Sequence, residues 1–250
     1  VNEKAVIIKV KGLEKKYPGS DALAINQLDM EISKGEIFGL LGPNGAGKTT
    51  TISILCGLMP ATEGTVVIDG LSLPSDKDRI KKLIGVVPQD IALYPTLTAT
   101  ENLMFFGQMA GVNTKTLRPR VAEYLKRFGL FERRNDRVGN FSGGMKRRVN
   151  LIAGLLHQPE ILFLDEPTVG VDVHSRHMIL ESLNEFNRGG TTIVYTSHHL
   201  NEAENLCTRI GVIDHGHLIA LGAPKSLMDE HSLSSLEELF LHLTGRHLRD

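Results

Sequence analysis

The chain has 250 residues, 41% of them hydrophobic, enough for one large domain or two small ones to bury a substantial core. Its 28 Lys and Arg stand against 29 Asp and Glu, a formal net charge of -1, which excludes a whole-molecule field drawing it to nucleic acid or an anionic membrane. The two cysteines, Cys56 and Cys207, are too few for a disulfide framework or a metal site and read as reduced, packed thiols, which suits a cytoplasmic protein.

The start, Val1 to Lys9, has only a short apolar stretch before a lysine-rich segment and lacks the apolar region and cleavage site of a signal peptide, so no secretion signal is expected. No apolar run approaches the roughly 18–20 residues of a membrane-spanning helix, so in a membrane process another chain must do the spanning. The first 70 residues read as short β-rich runs: Ala5–Val10, a turn at Tyr17-Pro18-Gly19, Leu28–Ile32, Glu36–Leu41, and Thr65–Ile68 closed by Asp69-Gly70. A helix is expected from Lys48 to Leu58, so strand, glycine loop and helix follow one another. From about Leu97 to Phe131 the spacing turns helical, with Leu103, Phe106 and Met109 in one segment and Val121, Leu125 and Phe128 in the next, as for an inserted lobe.

An α/β rhythm then returns: a helix near Gly143–His157, the apolar strand Ile161–Leu164, a helix near Ser175–Asn187 and the strand Thr192–Tyr195. Alternating helices and buried strands predict a mostly parallel sheet covered on both faces. Ile210–Ile213 and Leu218–Ala220, around Asp214-His215-Gly216, read as a hairpin, and Leu236, Leu239, Phe240 and Leu243 mark an amphipathic helix suited to core or subunit packing. The basic triplet Lys146-Arg147-Arg148 reads as a solvated face.

Gly42-Pro43-Asn44-Gly45-Ala46-Gly47-Lys48-Thr49 matches the eight-position Walker A pattern in the right setting, a strand before and a helix after. Glycines let the backbone wrap so that successive N–H groups point at phosphate oxygens, and the helix N-terminus adds about half a positive charge. Lys48 supplies a full charge to the β- and γ-phosphates, the Thr49 hydroxyl is placed to ligate Mg²⁺, and Thr50 joins the nucleotide-binding set. A bare connecting turn is the alternative, disfavoured because four fixed positions and both flanks agree. Nucleoside triphosphate binding is expected.

Further on, Asp165-Glu166-Pro167 follows the strand Ile161–Leu164, placing two acids where a sheet of this type presents its ligand site. Asp165 is the candidate to hold Mg²⁺, directly or through water, and Glu166 the candidate base that polarises the attacking water. An acidic pair that merely opens a surface turn is the competing reading.

Phe141-Ser142-Gly143-Gly144-Met145, upstream of Asp165, resembles the signature of ATP-binding-cassette (ABC) ATPases, usually Leu-Ser-Gly-Gly-Gln; Phe141 and Met145 depart from that form. Ordinary P-loop kinases and GTPases have no such element there. Ser142 and the Gly143-Gly144 backbone at the start of a helix make an anion site, and in the family this site completes the ATP pocket of a second subunit. Other family positions occur in order. Tyr17 resembles the aromatic residue that stacks on adenine, though alone it reads as a packed turn tyrosine. Gln89, in Val87-Pro88-Gln89-Asp90, resembles the Q-loop glutamine that touches Mg²⁺ and water, and Asp172, in Val169-Gly170-Val171-Asp172, the D-loop aspartate. His198 resembles the switch histidine that contacts the γ-phosphate; the spacing to Glu202-Ala203-Glu204 selects it over His199.

The resemblance covers about residues 5–245 and implies an α/β P-loop NTPase (RecA-like) core with an antiparallel β subdomain and an inserted α-helical subdomain. Residues 1–90 and 155–225 would form the β and RecA-like core, 91–154 the helical subdomain with the signature, and 226–250 a C-terminal helical segment. It also implies hydrolysis of MgATP, an ATP-dependent dimer with a second ATP-binding subunit, and a transmembrane permease partner holding the chain at the cytoplasmic face of the membrane. The permease would dock near Asp90–Asn102, where a plain surface loop is the alternative. Pro167-Thr168-Val169-Gly170-Val171-Asp172 and the tail from Leu236 to Arg246 look like ATPases of the drug-exporter (ABC-2) group. Among rivals, an ABC ATPase acting on DNA or ribosomes would usually carry two cassettes or a long coiled coil, and no nucleic-acid partner is expected. A non-hydrolysing regulatory module would lack Glu166 or His198, and a small-molecule P-loop kinase would lack the signature.

Overall fold

The computed structural model describes residues 5–245. In chain order the strands are β1 (Val6–Lys16), β2 (Leu23–Ser33) and β3 (Ile37–Leu41), then helix α1 (Lys48–Leu55), β4 (Glu63–Ile68), β5 (Leu71–Leu73), α2 (Lys77–Leu83) and β6 (Ile84–Val87). An all-helical stretch follows, α3 (Ala99–Met109), α4 (Thr114–Arg127), two short 3-10 turns and α5 (Gly143–Leu155). The rest is β7 (Ile161–Asp165), α6 (Val173–Arg188), β8 (Thr192–Thr196), α7 (Leu200–Leu206), β9 (Arg209–Asp214), β10 (His217–Gly222), α8 (Pro224–Glu230) and α9 (Leu236–Thr244).

Two sheets result. A four-stranded antiparallel sheet has the order β2-β1-β4-β5, and a six-stranded sheet has the order β10-β9-β3-β8-β7-β6. In the larger sheet every neighbouring pair is parallel except β9 with β10. Its central strands β3, β7 and β8 are buried at all positions, as expected where both faces are covered. Alternation then divides each strand between two cores. Ile161 and Phe163 of β7, Phe38 and Leu40 of β3 and Val194 of β8 face the four-stranded sheet and α1. Leu162, Leu164, Ile37, Leu41, Ile193 and Tyr195 face the helices, including α3, α4, α5, α6 and α9.

Several elements differ from the sequence expectation. Helix α1 stops at Leu55 because Gly57, at φ 66°, closes it: Gly57 N–H bonds the Ile54 carbonyl and Leu58 N–H the Ser53 carbonyl, a Schellman arrangement. The elements β5, α2, β6 and α7 carry no pattern that marks them in the sequence, and α8 opens two residues before the segment expected to be helical. Met109 keeps its place in α3 but is 74% exposed, whereas Leu103, Val121, Leu125 and Phe128 are fully buried. The basic triplet is not a solvated face: Arg147 and Arg148 are buried, and only Lys146 keeps partial contact with water. Arg148 donates to the Phe128 carbonyl at 2.8 Å, a satisfied partner that makes burial of the guanidinium tolerable. Cys56 and Cys207 are free, buried thiols. Leu236, Leu239 and Phe240 are buried against the helical core with Leu243 beside them, while Arg246 of the same tail lies outside the described residues.

Candidate active site

Four parallel strands deliver their following residues to one edge of the large sheet, the carboxyl edge where α/β sheets bind ligands. Strand β3 leads into residues 42–47 and α1, β6 into Pro88-Gln89, β7 into Asp165-Glu166, and β8 into Ser197-His198. The cleft between them holds about 680 Å³ and is lined by Tyr17, Ala24, Asn44, Gly45, Gly47, Lys48, Thr49, Thr50, Gln89, Glu166, Val169 and His198.

The glycine loop closes on its own backbone. Gly47, at φ 109°, precedes α1 and sits so close to the Ala24 carbonyl that a Cβ there would lie 2.6 Å from the oxygen. Only glycine takes that conformation without strain. Lys48 folds back across the loop, its Nζ donating to the carbonyls of Gly42 at 2.7 Å and Pro43 at 3.1 Å. Burial lowers the pKa of the ammonium, and the carboxylates of Glu166 and Asp165 work against that shift. Tyr17, half exposed at the end of β1, reaches Thr50 with its hydroxyl at 3.1 Å from Oγ1.

The two acids part at the end of β7. Asp165 is buried, and its Oδ1 accepts a 2.6 Å bond from the Thr196 hydroxyl. Glu166 has φ 48°, a left-handed conformation uncommon for a residue with a side chain. Its N–H donates to the same Thr196 oxygen at 3.0 Å, so one hydroxyl on β8 fixes both acids. Sequence reading missed Thr196, since threonine in a strand looks like an ordinary β-former. The Glu166 carboxylate points into the cleft, accepting from Gln89 Nε2 at 3.0 Å on one oxygen and lying 3.3 Å from His198 Nδ1 on the other. His198, and not its neighbour His199, lines the cleft.

A second cluster stands apart. Ser142 caps α5, accepting from the Met145 N–H at 3.2 Å, and Asp172 caps α6, accepting from the Ser175 N–H at 2.9 Å. That N–H holds the Asp172 carboxyl below the ordinary carboxylate value. The two helix starts touch at Gly144, where a Cβ would lie 2.4 Å from Ser175 Oγ and 2.7 Å from Asp172 Oδ2. None of Ser142, Gly143, Gly144 and Asp172 lines the cleft. The structure therefore joins Tyr17, the glycine loop, Lys48, Thr49, Thr50, Gln89, Glu166 and His198, and sets the other four in a separate place. Gly42, Pro43, Ala46 and Asp165 are buried beside these residues and do not themselves line the cleft.

The sequence model of the ABC transporter family matches residues 25–169, which include the glycine loop, Gln89, Ser142, Asp165 and Glu166. The chain belongs to this family. As an ABC ATPase subunit it binds and hydrolyses ATP on a P-loop NTPase fold. The linearmycin resistance ATP-binding protein LnrL of Bacillus subtilis (strain 168) is 45% identical, over 94% of this chain and 78% of its own length. The Nod factor export ATP-binding protein I of Rhizobium sp. (strain N33) is 39% identical over 94% and 77%. Among solved structures, an ATP-binding subunit of an ABC transporter superposes with a TM-score of 0.86 at 29% identity, covering 95% of this chain and 99% of that one. A dimeric ATP-binding cassette in a post-hydrolysis state, bound to ADP and Pi, does so at 0.79 and 28% identity over 87% and 98%.

Proposed function

We propose that two ATP-binding subunits, this chain and a second copy or close relative, close head to tail on two MgATP and drive export through a separate transmembrane permease. The observation that carries this reading is the division of the ABC machinery within one chain. Lys48, Gln89, Glu166 and His198 share a cleft, while Ser142, Gly143, Gly144 and Asp172 form a cluster outside it, which supports the reading that they serve a nucleotide held by another subunit. The dimeric cassette among the similar structures and the export and resistance proteins among the relatives support it. No helix among the described residues is long and apolar enough to cross a membrane, so in this reading the chain sits at the cytoplasmic face by way of the permease. The dock is the exposed segment around Asp90–Asn102, where Ile91 and Tyr94 are open to solvent and Tyr94 packs edge-on against Phe105 at 5.1 Å. Residues 91–154 act as the lobe that carries the signature, against a core of 1–90 and 155–225.

The donor set suits Mg²⁺. The Thr49 hydroxyl, the Gln89 amide and the Asp165 carboxylate are hard oxygen donors, and among the described residues no group of three or more His, Cys, Asp or Glu could cage an ion. That matches a cation that draws its remaining ligands from phosphate and water. When bound, Mg²⁺ supplies charge that neutralises the β- and γ-phosphate oxygens. Lys48 then leaves the Gly42 and Pro43 carbonyls for phosphate oxygens, whose charge reverses the effect of burial on its ammonium. In this reading the free backbone N–H groups of the glycine loop and of the start of α1 bind the phosphates, and the Tyr17 ring stacks on the adenine. Glu166 turns from Gln89 and His198, accepts a hydrogen bond from the attacking water and takes its proton on a carboxylate oxygen as that water oxygen bonds the γ-phosphorus and the bond from the γ-phosphorus to the bridging oxygen breaks, releasing ADP. Gln89 and His198 remain to hold the γ-phosphate, and Ser142 and Gly144 of the facing subunit close the site.

The test is Mg²⁺-dependent ATP hydrolysis by the purified chain against Glu166→Gln, with the ATP-bound mass of each in solution. Expected are a loss of at least about 100-fold in turnover, an ATP-dependent dimer trapped by the variant, and wild-type activity rising more than linearly with protein concentration. Hydrolysis by a monomer at a rate the substitution leaves unchanged would overturn both the base assignment and the paired site.

A further inference from the structure

The loop from Pro88 to Thr98 is open to solvent along most of its length, yet three buried polar side chains hold its backbone from beneath. Asn102, on α3, accepts from the Tyr94 N–H at 2.8 Å and donates to the carbonyls of Tyr94 and Thr98, both at 3.0 Å. The other two lie on α5. Arg147 Nη1 donates to the Gln89 carbonyl at 2.5 Å and the Pro88 carbonyl at 3.2 Å, and Asn150 Oδ1 accepts from the Ala92 N–H at 3.3 Å. Arg147 is only 6% exposed, so its guanidinium has little access to water and these carbonyls are what satisfy it. Burial lowers its pKa, and Asp90 and Glu166 oppose that shift.

Helix α5 thus has two ends of business. Its N-terminus carries Ser142 and Gly144, and Arg147, three residues after Gly144 and so on the same side of the helix, grips the residue whose amide touches Glu166. The distance along the axis from Ser142 to Arg147 is about 7.5 Å, within one rigid element. We propose that Arg147 and Asn150 are positioning residues that couple the two ATP sites of the dimer: whatever settles against Ser142 and Gly144 shifts α5, and α5 sets Gln89 and hence Glu166 of its own chain. This rests on the paired-site reading above. It gives each nucleotide a direct mechanical hold on the hydrolytic base serving the other, through a single helix.

The test uses the full chain carrying Arg147→Gln or Asn150→Ala. The readouts are turnover against ATP concentration, nucleotide affinity of the dilute monomer by a fluorescent ATP analogue, thermal stability, and dimer trapping in the Glu166→Gln background. The expected result is turnover reduced about tenfold and a Hill coefficient falling toward one, with monomer affinity within about twofold of wild type and the trapped dimer retained. Cooperativity as strong in both variants as in wild type overturns the coupling while leaving the paired site standing. So does loss of nucleotide affinity in step with thermal stability, which would make both residues merely structural. A wild type that is itself non-cooperative and forms no trapped dimer overturns the paired-site reading and the coupling with it.

Discussion

The loops at residues 42–47 and 88–98 leave the same edge of the same sheet and are held in opposite ways. The first holds itself: three glycines in six residues, a lysine folded back on the carbonyls of Gly42 and Pro43, and close backbone contacts of Gly47 with Ala24 and of Gly42 with Ile213. The second has no glycine and one internal backbone bond, Leu97 N–H to the Tyr94 carbonyl. Its shape comes from Asn102, Arg147 and Asn150 and from the backbone of Val138 and Gly139, which donates to Leu97 and Pro95. The phosphate grip is therefore a local property of the chain, whereas the glutamine beside the base takes its position from helices elsewhere. A grip built from its own residues and a sensor positioned by neighbouring helices follow from that division.

Substitutions can press on the contrast. The largest effect is expected at Gly47→Ala, where the left-handed backbone and the 2.6 Å approach to the Ala24 carbonyl act together. Strain and overpacking should sum to about 4 kcal/mol, lowering Tm by about 8–16 °C and removing nucleotide binding, read by calorimetry on the same samples. Next comes Asn102→Leu, which keeps the volume but strands the Tyr94 N–H and its companion carbonyls. A cost of about 2–3 kcal/mol is expected, together with faster amide exchange across residues 94–98, while ATP affinity stays near wild type. Equal loss of affinity in these two variants would erase the distinction between the loops. The smallest effect belongs to Gly45→Ala: φ is 81°, but the added methyl meets nothing within 4 Å. Only conformational strain of about 1 kcal/mol is expected, a drop of about 2–4 °C, and a larger one would mean the loop is tighter than its contacts show.

The same contrast governs what could be read from residues alone. The glycine loop, its strand and its helix are adjacent in sequence, so pattern and structure coincide, and Asp165 and Glu166 stand at the end of a run buried at every position. Helix α2 escaped because its seven residues are mostly charged and bury only Ile80, leaving no period to detect. Strand β6 is four residues long, with Gly85 packed against the Gly154 carbonyl in place of a β-forming side chain. Arg147 and Arg148 look solvated in the sequence because charge suggests solvent unless the partner carbonyls are known, and those belong to residues 88, 89 and 128. Thr196 and Asn102 carry no charge and belong to no motif, so nothing in the sequence singled them out.

The tight seat of Gly144 between Ser175 and Asp172 bears on how the signature can be dissected genetically. Any side chain at 144 displaces the start of α6, so a defect there reports damaged packing and altered nucleotide contact together. Position 143 is different: an added Cβ would find only the Gly170 carbonyl, at an ordinary 3.7 Å. Alleles at 143 are consequently the clean instrument for this element, and a null allele at 144 says little about chemistry.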